Sequence, residues 1–176
     1  CCFCFLLHFF IFHYKKWIMT TTVKFNKLSV LIERFPDYIE IIKDSYLDLL
    51  SELTEVSKLD TSIFLENIQK ISQIGTIIIC FLENPPFSGF KIVGSGTIII
   101  EPKIIHCGKN VGHIEDVVVK KSYRGFNVSQ DILDLLKIEA GEKNCYKVIL
   151  DCNEEIQRVY IKSGFEEKGI QMALYF

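Results

Sequence analysis

The chain has 176 residues, 49% hydrophobic and 24% charged, with a formal net charge of -2. That is one domain's worth of sequence with room for a substantial core, and the near-neutral balance, without basic blocks among aromatics, excludes an overall nucleic-acid footprint. Seven cysteines, an odd count without paired C-x-x-C spacing, exclude a disulfide framework and a zinc site and fit a reducing, cytoplasmic compartment.

Residues 1–14 are almost wholly apolar and aromatic, and Lys15-Lys16-Trp17-Ile18 precede Met19. The run is short of the ~20 residues that span a bilayer comfortably. It also lacks a basic leader and a small-residue cleavage site. Met19-Thr20-Thr21-Thr22 reads as an ordinary start. The expectation is a non-native or disordered apolar leader over residues 1–18, with a membrane anchor as the alternative, and a single domain over residues 19–176.

Within residues 37–56, Ile41, Ile42, Tyr46, Leu49, Leu50 and Leu53 recur at helical spacing. A second helix starts after Asp60 or Thr61 and ends at Gly75. Residues 76–82 read as a strand, residues 84–89 as a turn, and residues 90–100 as a strand whose Gly94 and Gly96 mark a bulge. A third strand covers residues 111–119. A helix follows Gly125, with Val128, Ile132, Leu135, Leu136 and Ala140 on one face. Residues 146–151 form a buried strand, Asn153 caps a helix carrying Ile156, Val159 and Tyr160, Gly164 stops it, and residues 171–176 form a last strand. The order implies an α/β fold, its mixed sheet antiparallel first and crossover-linked later.

His113-Ile114-Glu115-Asp116-Val117-Val118-Val119 followed by Ser122-Tyr123-Arg124-Gly125 is the most informative stretch. A strand entering a glycine-containing turn and a helix N-terminus offers unpaired amides to an anion. Two adjacent carboxylates on a valine-rich strand are costly unless they are used or paired. Acid beside anion site suits a ligand with a pyrophosphate and a reactive end lying along the strand. His106-Cys107, by contrast, reads as a strand-end pair without a third member.

Gly112-His113-Ile114-Glu115-Asp116-Val117-Val118-Val119, Tyr123-Arg124-Gly125, Cys145-Tyr146-Lys147-Val148-Ile149-Leu150-Asp151-Cys152 and Tyr160-Ile161-Lys162-Ser163-Gly164-Phe165 resemble the glucosamine 6-phosphate N-acetyltransferase family of the GNAT superfamily. The likeness runs from about Leu49 to Phe176 and includes Gly94-Ser95-Gly96-Thr97 and Lys103-Ile104-Ile105-His106. It implies a GNAT-type acetyltransferase fold, a mixed twisted sheet flanked by helices. It implies a homodimeric cytoplasmic enzyme with shared active sites, moving acetyl from acetyl-CoA to the amine of glucosamine 6-phosphate for UDP-N-acetylglucosamine biosynthesis. Neither a metal nor nucleic acid nor a membrane is expected as a partner.

By the same resemblance, the backbone of Val117, Val118 and Val119 pairs with the pantetheine arm, and Arg124, Gly125, Phe126, Asn127, Val128, Ser129 and Gln130 hold the pyrophosphate. Thr54, Lys103, Ile104, Ile105, His106, Glu115 and Asp116 meet the sugar, completed by Tyr146, Lys147 and Asp151 from the second subunit. Asp151 positions the amine, Glu115 or Asp151 takes its proton, an N–H near Val117 stabilises the oxyanion, and Tyr160 serves the departing thiolate. The duller readings are an ion-paired strand end for Glu115 and Asp116, core packing for Tyr160, a strand-end cap for Asp151, and a snorkelling Lys147. The superfamily turn takes the form Arg/Gln-x-x-Gly-x-Gly/Ala, and this chain departs from it at Asn127 and Ser129. Asparagine tolerates a left-handed backbone, so CoA binding is expected to survive. Tyr175 stands where some relatives place an arginine towards the sugar phosphate. The alternatives are a GNAT acting on another amine or a protein, and a weakly active acyl-CoA-binding subunit.

Overall fold

A computed structural model describes residues 14–18, 21–83 and 90–175, so the turn expected at residues 84–89 lies outside the described residues. Along the chain come β1 (Tyr14–Ile18), β2 (Thr21–Lys27), α1 (Leu28–Arg34), α2 (Ile39–Leu50), α3 (Thr61–Ile74), β3 (Gly75–Glu83), β4 (Phe90–Pro102), the helical turn α4 (Ile105–Gly108), β5 (Asn110–Val119), α5 (Val128–Glu142), β6 (Cys145–Leu150) and α6 (Gln157–Lys162). The strands form one six-stranded sheet in sequence order. Each neighbouring pair is antiparallel except β5 and β6, which are parallel. The parallel pair needs a crossover, which α5 supplies.

The sheet is covered on both faces, so its central strands read as unbroken apolar runs rather than an alternation. Ile77, Ile79 and Phe81 of β3 join the cluster under α1, α2 and α3, built on Leu28, Ile42 and Phe64. Ile78, Cys80 and Leu82 point the other way, to Ile132, Leu133 and Leu136 of α5. Each of these side chains is less than 9% exposed, and burying one fully is worth about 1.5–3 kcal/mol.

Ahead of the first expected element, β1, β2 and α1 extend the sheet and its cover. Tyr14–Ile18 of the apolar N-terminal stretch pairs with β2, while residues 1–13 lie outside the described residues. In β2 only Val23 and Phe25 are buried on the α5 side, an alternation too brief to read unaided.

The last expected strand is corrected. Residues 165–175 have no regular structure, and Ile170, Met172, Leu174 and Tyr175 are 78–93% exposed. Strand-like composition makes no strand without a neighbour to take up its backbone groups. The C-terminal end of α6 agrees with expectation, Gly164 (φ 86°) closing the helix while Phe165 N–H donates to Tyr160 O at 3.0 Å. Its start is corrected: Ile156 and not Asn153 precedes the first helical residue, and Asn153 Oδ1 accepts from the Ile156 N–H at 3.2 Å in the turn ahead of the helix.

Two register shifts stand where Gly94 and Gly96 led us to expect one bulge. One lies between Cys80 and Phe81, beside Gly94. At the other, Ser95 pairs with Val118 and Thr97 with Glu115, so Asp116 and Val117 together oppose Gly96. The extra residue therefore sits in β5 rather than β4, with Asp116 at φ 52°. Gly96 is required there, since a Cβ would stand 2.8 Å from Ile132 Cγ2 and 3.0 Å from Leu136 Cδ1. The bulge shifts the pleat, so that Val117 and Val119 lie against α5 while Val118 joins the opposite cluster.

Candidate active site

β5 and β6 pair only from Asn110 with Cys145 to Ile114 with Leu150, whereas β5 continues to Val119, still paired to β4. Residues 115–119 therefore keep one backbone edge without a strand partner among the described residues, over about 16 Å at the usual rise. The bulge lies in this open stretch. Its displaced backbone takes Asp116 and Val117 out of the regular ladder, beside the two carboxylates.

Past Val119 the chain makes a 3-10 turn, Lys121–Tyr123, then rises into α5. Gly125 (φ 82°) and Asn127 (φ 61°, ψ 18°) take left-handed backbone, so Asn127 adopts the conformation expected of it. The first bond of α5 runs from Asp131 N–H to Asn127 O at 3.0 Å, and the amides of Val128, Ser129 and Gln130 stand ahead of it. Such a helix start favours an anion. Phe126 packs partly against the α5 core, and the Gln130 side chain is held by Asp134 (3.0 Å) and the Ser163 hydroxyl (2.8 Å). The Arg124 guanidinium turns back, giving Nε–H to Val119 O at 3.0 Å and Nη2–H to Glu52 at 3.2 Å.

Glu115, Asp116 and Asp151 form one electrostatic group. Desolvation first, then the charges of Asp116 and Asp151, raise the Glu115 carboxyl above its ordinary value of 4.5. A raised carboxyl is a stronger base, closer to the working range of a proton acceptor at neutral pH. Asp151, just beyond β6, accepts from Gln171 Nε2 at 2.9 Å. Tyr160 of α6 is 8% exposed and meets Phe165 edge-on, ring centroids 6.2 Å apart. Burial, then the neighbouring Cys152, push its phenol up. Asp151, Tyr160 and Lys147 line a cavity of about 800 Å³ between β6, α6 and residues 163–171.

The remaining expected sugar contacts gather elsewhere. His106 (φ 55°) stacks on Tyr146, centroids 4.1 Å apart, and Lys147 Nζ lies 5.7 Å from the same ring. Lys103 is ion-paired to Glu101, whose other oxygen meets His113 Nε2 at 2.8 Å. Those two contacts, Lys103 first, hold the Glu101 carboxyl below its usual range. Ile104 and Ile105 project 100% and 63% exposed. Tyr146 lies near the start of β6 and Asp151 just beyond its end, five residues on, about 16 Å at the usual rise. Thr54 lies exposed beyond α2, two residues from Glu52. Sequence reasoning passed over Glu52 and Gln171, whose partners lie 72 and 20 residues away. Asp48 and Glu52 at i, i+4 gave a faint signal of a shared acidic face.

Among the described residues there is no group of three His, Cys, Asp or Glu that could hold a metal, and no helix long and apolar enough to cross a membrane.

The raised Glu115 carboxyl fixes a sign. A group that binds its proton more tightly when folded favours the fold at low pH, and the advantage is lost as pH rises through its folded value. At pH 7 an ionised Glu115 is a net cost. Glu115→Gln should therefore raise the thermal midpoint at pH 7, the gain shrinking towards pH 4. Melting curves at both pH values decide it; a midpoint at or below that of the unsubstituted protein at pH 7 refutes it.

The family model described as Acetyltransferase (GNAT) family matches residues 44–165. A glucosamine 6-phosphate N-acetyltransferase from Arabidopsis thaliana is 35% identical over 160 residues, 90% of this chain and 99% of its own. One from Trypanosoma brucei brucei is 41% identical over 131 residues, covering 74% and 86% of the two chains. The crystal structure of glucosamine-6-phosphate N-acetyltransferase from Arabidopsis thaliana superposes with a TM-score of 0.73 at 31% identity, covering 88% of this chain and 98% of that one.

Proposed function

The chain belongs to the GNAT acetyltransferase family, and from that membership we infer that it transfers acetyl from acetyl-CoA to the amine of D-glucosamine 6-phosphate. The product, N-acetyl-D-glucosamine 6-phosphate, is a precursor for UDP-N-acetylglucosamine biosynthesis. The observation that carries the reading is the open edge of residues 115–119, with carboxylates at one end and a left-handed anion turn at the other.

When bound, acetyl-CoA supplies an activated acyl group on a thioester. The backbone of Val117, Val118 and Val119 offers its ladder groups to the pantetheine arm, as an edge strand offers them to a neighbour. The amides of residues 125–130 take the diphosphate. A main-chain N–H near Val117 would stabilise the oxygen on which charge develops. Asp151 draws the ammonium of the sugar in and holds it, and Glu115, whose carboxyl is raised first by desolvation and then by neighbouring charge, takes its proton. Tyr160 keeps its proton at neutral pH because burial raises it, and gives a hydrogen bond or the proton to the departing thiolate.

The sugar site is shared between two copies in this reading. One copy brings Glu115 and Asp116, with Thr54 and residues 103–106; the other brings Tyr146, Lys147 and Asp151. The outer edge of β6 and the exposed apolar side chains of Ile170, Met172 and Leu174 support a homodimer, since contiguous exposed apolar surface marks an interface. Phosphate is met by Lys103, Lys147 and His106, with Tyr175 in place of an arginine. The free cysteines Cys80, Cys107, Cys145 and Cys152 suit a cytoplasmic location.

Thiol release from acetyl-CoA, followed with glucosamine 6-phosphate, glucosamine and a lysine peptide, tests the substrate. Turnover is expected with the phosphorylated sugar alone. Peptide turnover would make the chain a protein acetyltransferase, and CoA binding without turnover a binding subunit; either result replaces this reading. Sedimentation should show a dimer, and a monomer would remove the shared site.

A further inference from the structure

The end of α2 grips the turn ahead of α5. Asp48 takes Lys120 Nζ at 2.5 Å, and the same ammonium donates to Asp48 O at 3.2 Å. Four residues on, Glu52 accepts the Lys121 N–H at 3.1 Å and Arg124 Nη2–H at 3.2 Å. Two faces of the Arg124 guanidinium are thus engaged within the protein, one on Val119 O and one on Glu52. The turn between these clamps is short, with Tyr123 N–H to Lys120 O at 2.7 Å, and leads directly to Gly125 and Asn127.

We propose that Glu52 and Arg124 are paired positioning residues that hold this turn in its anion-binding shape, so that main-chain amides and not the guanidinium carry the CoA diphosphate. The proposal rests on the reading of residues 124–130 as the diphosphate turn. Glu52 lies outside the superfamily pattern, and two glycine positions of that pattern are Asn127 and Ser129 here. A loop with fewer glycines has less backbone freedom, but each left-handed position in it must be held by its surroundings. A clamp from α2 does this before the ligand arrives, and preorganisation of this kind appears as affinity. The Arg124 side chain is 54% exposed and that of Glu52 18%, so the effect of the pair on stability is small. Its effect is to be read on the ligand.

The experiment is CoA titration calorimetry with steady-state rates for the unsubstituted protein, Glu52→Gln, Arg124→Lys and the double variant. Each single change should weaken CoA about tenfold, a loss of about 1.4 kcal/mol. The double variant should be no weaker than the worse single, the mark of two groups acting as one. The KM for acetyl-CoA should rise in step while kcat stays within about twofold, a split that general loosening of the fold would not give. Tighter CoA binding by Glu52→Gln overturns the proposal, because it makes Glu52 a competitor for the phosphate's place. Unchanged affinity in Arg124→Lys also overturns it, because charge alone would then suffice. Failure of the unsubstituted protein to bind CoA would sink the cofactor reading itself, a distinguishable result.

Discussion

Asp151→Asn is expected to lower kcat/KM for glucosamine 6-phosphate by about 10²–10⁴-fold, the range for loss of a positioned proton-handling group. The substitution keeps size and shape, and the amide oxygen can still accept from Gln171 Nε2, as the carboxylate does at 2.9 Å. What disappears, in the proposed mechanism, is a negative charge beside an amine that arrives protonated. Removing it also relieves Glu115, whose carboxyl is raised first by desolvation, then by Asp116 and Asp151. The acid limb of the rate profile should therefore move to lower pH in the variant. CoA affinity should stay within about threefold, since the charge acts on the acceptor and not on the diphosphate turn. Initial rates from thiol release across pH, with CoA titration, measure all of this. A kcat/KM within threefold of the unsubstituted enzyme would remove Asp151 from the mechanism.

Tyr160→Phe is expected to reduce kcat by roughly 10–100-fold, because a hydrogen bond to a charged group is worth about 1.5–3 kcal/mol. Phenylalanine fills the same space among the α5-side core residues and keeps the edge-on contact with Phe165, so folding should be retained. The lost group is a hydroxyl that burial keeps protonated at neutral pH. A thiolate leaving without that donor leaves more slowly, while ground-state CoA binding changes little. Single-turnover rates at saturating substrates separate the two effects. Unchanged turnover would assign Tyr160 to packing alone, the duller reading its helix spacing allows.

The legible parts of the molecule were those governed by local pattern. Gly75 and Gly164 end helices α3 and α6 as their positions suggest, and the crossover from β5 through α5 to β6 follows from the alternation of apolar periods. Asn127 was readable too, because left-handed backbone is a property of the residue itself. The illegible parts depend on partners distant in the chain. Nothing at Glu52 announces Arg124, 72 positions away. Gly96 signals a close approach, yet the inserted residue lies across the ladder at Asp116, and which strand carries the extra residue is settled only by register. Residues 171–175 have strand chemistry, but a strand is a relation between two segments, and the second is not supplied among the described residues of one chain.

The splay of β5 from β6 has a consequence for how this protein can vary. A ligand recognised through peptide groups is indifferent to the letters borne by the ribbon it lies on. Positions 117, 118 and 119 answer instead to the two hydrophobic interiors behind them. In the proposed reading, catalytic fitness and packing fitness are thus written on different atoms of the same residues, and an exchange of one aliphatic for another there would be judged by the core long before the chemistry noticed it.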